Sequence, residues 1–141
     1  MKRFVATTLI CATAALGLSA CSDDSSPAEE ATKAAGALCN DLALLKADTA
    51  KLRALDPANA TKDQIKEAYD AVQKDWENVK ANRAALQEAK RDAVKGAADD
   101  LKKAYEDLPG DTTGKDAVTA ITPQAQKLEQ TVDAASTTLK C

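Results

Sequence analysis

The stretch TKDQIKEAYDAVQKDWENVKANRAAL, residues 61–86, decides the fold class. Within it Ile65, Tyr69, Val72, Trp76, Val79, Arg83 and Leu86 succeed one another in alternating steps of four and three. That spacing places them on one stripe of a helix with 3.6 residues per turn. Thr61 and Gln64 stand three residues apart at its start as a capping box, in which each side chain satisfies a backbone N–H of the other. The pattern extends in both directions. Upstream, Ser26-Pro27-Ala28-Glu29 is a second capping box with proline at the first helical position. From it Ala31, Ala35, Leu38, Leu42, Leu45, Thr49 and Leu52 continue at the same period until Asp56-Pro57, where the residue before proline is driven out of helical space. The first helix is predicted over 27–55.

Downstream of Leu86 the stripe resumes as Val94, Ala97 or Ala98, Leu101, Tyr105 and Leu108, displaced by one residue across Lys90–Gly96. Either one continuous helix runs over 61–107 with a stutter, or a break near Gly96 divides it. Continuity is preferred, because one glycine costs only about 1 kcal/mol and no proline intervenes. Pro109-Gly110 ends this region. Val118, Ile121, Ala125, Leu128, Val132, Ala135 and Leu139 mark a last helix over 115–139. Thr122-Pro123 within it marks either a helix starting at Pro123 or a kink. The expected fold is all-α: an antiparallel bundle of three to four helices, elongated or compact, with one long central helix.

Composition removes whole classes of chemistry. There is no histidine, so neither a Ser-His-Asp nor a Cys-His system exists, and no imidazole can ligate a metal. The five glycines are scattered rather than gathered into a phosphate-cradling loop. Asp99-Asp100 and Glu106-Asp107 are adjacent pairs whose side chains diverge by about 100° on a helix, so they present solvated faces rather than a metal site. No catalytic residue, cofactor or metal is assigned, and the chain is read as a non-enzyme.

The first residues have the layout of an export signal. Lys2 and Arg3 precede an apolar run from Phe4 to Leu18, too short for a comfortable permanent span. The run closes on Leu18-Ser19-Ala20-Cys21, an aliphatic residue, two small residues and a cysteine. This is similar to the lipobox of bacterial lipoproteins. The resemblance covers about the first 21 residues, and no family is recognised for the rest. It implies a diacylglycerol thioether on Cys21, cleavage between Ala20 and Cys21, and a protein held on the extracytoplasmic side of the cell membrane, or at the outer membrane of a diderm cell. The alternative is an ordinary secretory signal cut after Ala20, with Cys21 left as a thiol. Cys11, behind Leu9 and Ile10, lacks the small residues and leaves with the signal.

On that reading residues 1–20 are removed, 21–27 are lipidated cysteine and tether, and 28–141 are the helical domain. Six residues from Ser22 to Pro27 reach roughly 20 Å when extended. Loss of Lys2 and Arg3 leaves 17 basic against 22 acidic residues, a charge of −5. Nothing in the linear pattern attracts nucleic acid or anionic lipid.

An exported chain meets oxidising conditions, which makes a Cys39–Cys141 disulfide the expected pairing. If the first and last helices both fold back on the long one, the two cysteines fall opposite neighbouring turns at its middle. A redox-active pair and a bond between molecules are the lesser readings, since no Cys-x-x-Cys spacing is present. Past the signal there are only 18 Leu, Ile and Val, plus Tyr69, Trp76 and Tyr105, so the core is thin and a staple matters. Trp76 reads first as a core anchor; its functional alternative, with Tyr69, is an aromatic floor for a ligand. Arg83 and Lys90 interrupt the stripe and are expected to snorkel over it. Two functions remain in view: an interaction or structural module with an envelope protein as partner, and a binding module holding a lipid or small hydrophobic ligand between alanine-rich helices.

Overall fold

The computed structural model describes residues 26–141, so the signal, cleavage and lipidation residues, Ala20 and Cys21 among them, lie outside the described residues. The described chain is all-α, with no strand: α1 (Pro27–Arg53), α2 (Lys62–Asn82), a 3-10 turn (Arg83–Ala85), α3 (Glu88–Glu106) and α4 (Gly114–Leu139). Both capping boxes form. Ser26 Oγ accepts from Glu29 N and Glu29 Oε2 accepts from Ser26 N, at 3.3 and 3.0 Å. Thr61 and Gln64 repeat the exchange at 3.2 and 3.0 Å. After α1 the Asp56 carboxylate accepts from Ala58 N at 2.9 Å, closing the turn that Pro57 requires.

The long central helix does not form, and neither does a break at Gly96. α2 stops at Asn82, the chain turns through Arg83–Ala85, and Leu86 is extended (φ −84°, ψ 141°) before α3 begins. Gly96 lies inside α3 with open space around it. The cause is visible on the stripe itself. After Val79, another helical turn would carry Arg83 into the buried line; the turn leaves Arg83 exposed and inserts Leu86, 5% exposed, in its place. A helix from 61 to 107 would run about 70 Å and meet only a thin seam on either side. Folding it back lets both halves share one core. The one-residue displacement of the stripe was the mark of a second helix with its own facing.

Direction alternates from helix to helix. α1 packs closely on α2 and on α4, and α4 on α3, while α2 and α3 stand farther apart. Side-chain bridges show the antiparallel pairing: Asn82 with Asp41 at 2.7 Å, Lys46 with Asp133 at 2.6 Å, Arg53 with Glu129 at 3.0 Å and Lys127 with Asp100 at 2.6 Å. Tyr69 and Tyr105 stack across the wide α2–α3 side, with ring centroids 3.8 Å apart and planes within 10°. One end, here the near end, therefore holds the start of α1, the 83–87 turn and Cys141. The far end holds the 54–61 and 107–113 connections.

The core is the four stripes turned inward. Leu38, Leu42, Leu45, Leu52, Val72, Val79, Val94, Leu101, Ile121 and Leu128 are all at zero exposure, and Ala97, Ala98, Ala125 and Ala135 let the backbones approach. Pro123 starts no helix. α4 runs through it, and Thr122, instead of capping, donates its hydroxyl to Val118 O at 2.6 Å beside the N–H that proline lacks.

Lys140 adopts φ 61°, the single left-handed non-glycine residue described. Its conformation closes α4, with Cys141 N donating to Ser136 O at 3.0 Å, and directs Cys141 toward α1. Cys39 and Cys141 form the disulfide, their Cα atoms 5.6 Å apart. The pairing is the expected one, but its place is not. It fastens α1 to the end of α4 at the near end, instead of stapling two helices at the middle of a third.

Two expectations follow from the packing. A Cβ on Gly114 would lie 1.8 Å from Ala60 O, because the start of α4 rests on the backbone of the α1–α2 connection. Gly114→Ala must separate the two far-end connections and is expected to destabilise by about 2–4 kcal/mol, whereas Gly96→Ala, in open space, gains up to about 1 kcal/mol. Denaturant titration of the two variants checks both signs. Opening the 102-residue disulfide loop with Cys39→Ser is expected to cost about 2–5 kcal/mol. Thermal unfolding with and without reductant reads this, and two free thiols in the native protein's mass would contradict the bond.

Candidate functional site

The described surface is poor in apolar side chains: Leu44, 53% exposed, is the one large hydrophobic residue well exposed to solvent. Trp76 and Tyr69 are 5% and 6% exposed, so neither offers an open ring to a ligand. Trp76 is a core anchor with the Lys80 ammonium 6.0 Å above its ring. Burial, followed by the negative charge of Glu106, pushes the Tyr69 hydroxyl up to about 12, which keeps it neutral. Trp76 is thus the core anchor it was first read as, the alternative of an aromatic ligand floor finds no open ring, and Tyr69 closes the wide side of the bundle with Tyr105 as its partner.

Three features remain that a functional site could use. At the near end, the turn after α2 gathers Arg83, Arg91 and Lys95 around a shallow hollow that also includes Asp92. Arg83 is exposed and Lys90 half-buried, so the snorkelling expected of both over the apolar seam fits Lys90 better than Arg83. Beside them a second hollow is lined by Ala31, Ala34, Ala35, Ala84 and Ala85 together with Pro27 and Glu30. At the far end, a cleft of about 310 Å³ is lined by Ile65, Tyr105, Leu108, Pro109 and Ala117, with Lys62 at its edge. Lys62 Nζ donates to Gly110 O at 2.6 Å, tying α2 to the α3–α4 connection.

The third feature lies in the α1–α2 seam and was missed in the sequence. Asp75 is 7% exposed, and its Oδ2 has no hydrogen-bond partner. Burial raises its pKa, and Asp48 across the seam raises it further by charge and by a carboxyl–carboxyl hydrogen bond; Asp41 adds to this and Lys74 opposes it. Lys51 pairs with Asp48 at 2.6 Å. The pair is an acidic contact in which burial and the neighbouring Asp48 both disfavour the charged form of Asp75. A signal for it existed. Asp48 stands three residues after Leu45 and four before Leu52, and Asp75 bears the same relation to Val72 and Val79, which puts both on the edge of a buried stripe.

The adjacent acidic pairs do not converge. Asp99 pairs with Lys95 and Asp100 with Lys127, both at 2.6 Å, and Glu106 meets Lys102 at 3.7 Å. No group of three or more Cys, Asp or Glu among the described residues is arranged to hold a metal ion.

The sign of the pH effect follows from the raised pKa of Asp75. Above that pKa the folded protein must bury a charge that the unfolded chain keeps in water, so this contact gains stability as pH falls through the raised value and gains nothing more below the ordinary carboxylate range. Asp75→Asn keeps a donor toward Asp48 without the charge. Its melting temperature is expected to exceed the wild type's at pH 7, by roughly a few degrees, and the difference should shrink steadily toward pH 4. A constant difference across that range would refute the raised pKa of Asp75. No family model, curated protein or solved structure matches the chain, so its function rests on its own residues and where they lie.

Proposed function

We propose that this protein is a lipid-anchored extracytoplasmic module that acts without catalysis, presenting a disulfide-closed helical bundle to a partner at the cell envelope. The observation that carries the reading is the sequence Leu18-Ser19-Ala20-Cys21 only five residues ahead of the Ser26 cap. An acyl anchor at Cys21 would tie the near end to the bilayer and turn the far end outward. Two or three acyl chains suffice for stable attachment, each buried methylene contributing about 0.8 kcal/mol. No described helix is long and apolar enough to cross a membrane, so attachment by this route asks nothing of the bundle itself. With Leu44 as the exposed large hydrophobe, contact with a partner would use charged helix faces and the far-end cleft rather than a broad apolar patch.

A second reading draws on that same cleft: Ile65, Tyr105 and Leu108 beside Lys62 and Glu106 would suit a small ligand with an apolar body and a polar group. Metabolic labelling with a tagged fatty acid tests the anchor. Wild type should be labelled and membrane-bound and Cys21→Ser unlabelled; an unlabelled wild type released into the medium overturns the proposal. Co-purification from detergent-solubilised membranes separates the two readings. A partner lost on substituting Tyr105 and Leu108 supports the interaction module, and a bound small molecule lost on the same change supports the ligand module.

A further inference from the structure

We infer that the near end of the bundle carries a contact surface for anionic phospholipid headgroups, built on Arg83, Lys90 and Arg91; the inference rests on the anchoring proposed above. Residues 80–95 hold five basic side chains, Lys80, Arg83, Lys90, Arg91 and Lys95, against Glu88 and Asp92, a local charge of +3 in a chain whose charge from Cys21 onward is −5. In linear order these residues are diluted by acids and neutral positions. The turn between α2 and α3 concentrates them. Arg83 and Arg91, eight positions apart, line one hollow because the chain reverses between them. Lys80 and Lys95 are held by Glu77 and Asp99. Among the described residues the exposed Arg83 and the half-buried Lys90 and Arg91 enter no ion pair.

Two further observations select a bilayer as the occupant. The first is reach. Ser26 follows Cys21 by five positions, at most about 18 Å of extended chain, and α1 begins at the same end as the 83–87 turn. A bundle acylated at Cys21 cannot carry this end far from the headgroups. The second is the pairing of charge with apolar surface. Arg83 adjoins a hollow formed by Ala31, Ala34, Ala84 and Ala85 with Glu30 in its lining, which gives this end small apolar side chains beside the cations, a composition suited to the headgroup boundary. The tether enters at the end where these cations lie, so the surface would set the bundle upright, with its far-end cleft facing away from the membrane.

The mature acylated protein, purified from membranes and reconstituted, tests this by hydrogen exchange in vesicles of phosphatidylcholine alone and of phosphatidylcholine with phosphatidylglycerol. Each basic side chain near an anionic surface is worth about fivefold in occupancy. Amides of residues 83–91 should therefore exchange about fivefold or more slowly on the mixed vesicles than on phosphatidylcholine. The protection should vanish in high salt and in the R83Q/R91Q double variant, which changes one exposed and one half-buried position, neither of them in the buried core. Equal exchange on both vesicles with a verified acyl mass on Cys21 overturns the headgroup surface and leaves the anchor standing. Absence of that acyl mass overturns both. Protection that survives R83Q/R91Q moves the contact away from these arginines and likewise defeats the inference.

Discussion

Helix α1 is enclosed between α2 and α4, and the rest of the architecture depends on that enclosure. Its leucines at 38, 42, 45 and 52 all reach zero exposure, which a single neighbour could not achieve. Each buried leucine is worth about 1.5–3 kcal/mol in apolar area removed from water, and this row is the largest concentration of such area in the chain. Once α1 is flanked on both sides, α3 has its place only against α4, and the α2–α3 side is left wide. Two stacked tyrosines fill it where aliphatic side chains would fall short.

The remainder of the core is thin because alanine does much of the packing. Alanine brings backbones together but removes little area from water, so stability leans on features that act through the chain rather than through buried surface. The disulfide is one, closing a loop of 102 residues between the two helices that matter most. The left-handed Lys140 is another, since without it Cys141 would continue along the axis of α4 rather than turn back to α1. Gly114 is a third: it admits the Ala60 carbonyl where no side chain fits, and so holds the two far-end connections against each other. Against these stands Asp75, a carboxyl kept in the α1–α2 seam, where burial and the nearby Asp48 disfavour its charged form.

Function in such a molecule lies in the difference between its ends. The sides are covered by ion pairs between exposed residues, of the kind that contribute little to stability and give solubility. The near end gathers unpaired arginines, alanines and the entry of the chain from Cys21. The far end holds a cleft with an aromatic wall. On the proposed anchoring the tether enters at one end and the cleft lies at the other.

Sequence alone determined which segments are helical, because capping boxes, prolines and a three-four spacing are local signals that act over a few residues. It also determined which face of each helix is buried and which cysteines pair. What it did not determine is where the chain reverses. Nothing between Asn82 and Glu88 breaks a helix by propensity; the turn exists because continuing would bury Arg83 and strand the second half of the stripe without a partner, a penalty that arises only once α4 is in place. The same holds for the site. Arg83 and Arg91 converge, and Asp48 meets Asp75, only through packing between helices, and contacts of that kind are set by the relative position of whole elements rather than by the residues beside them in the chain.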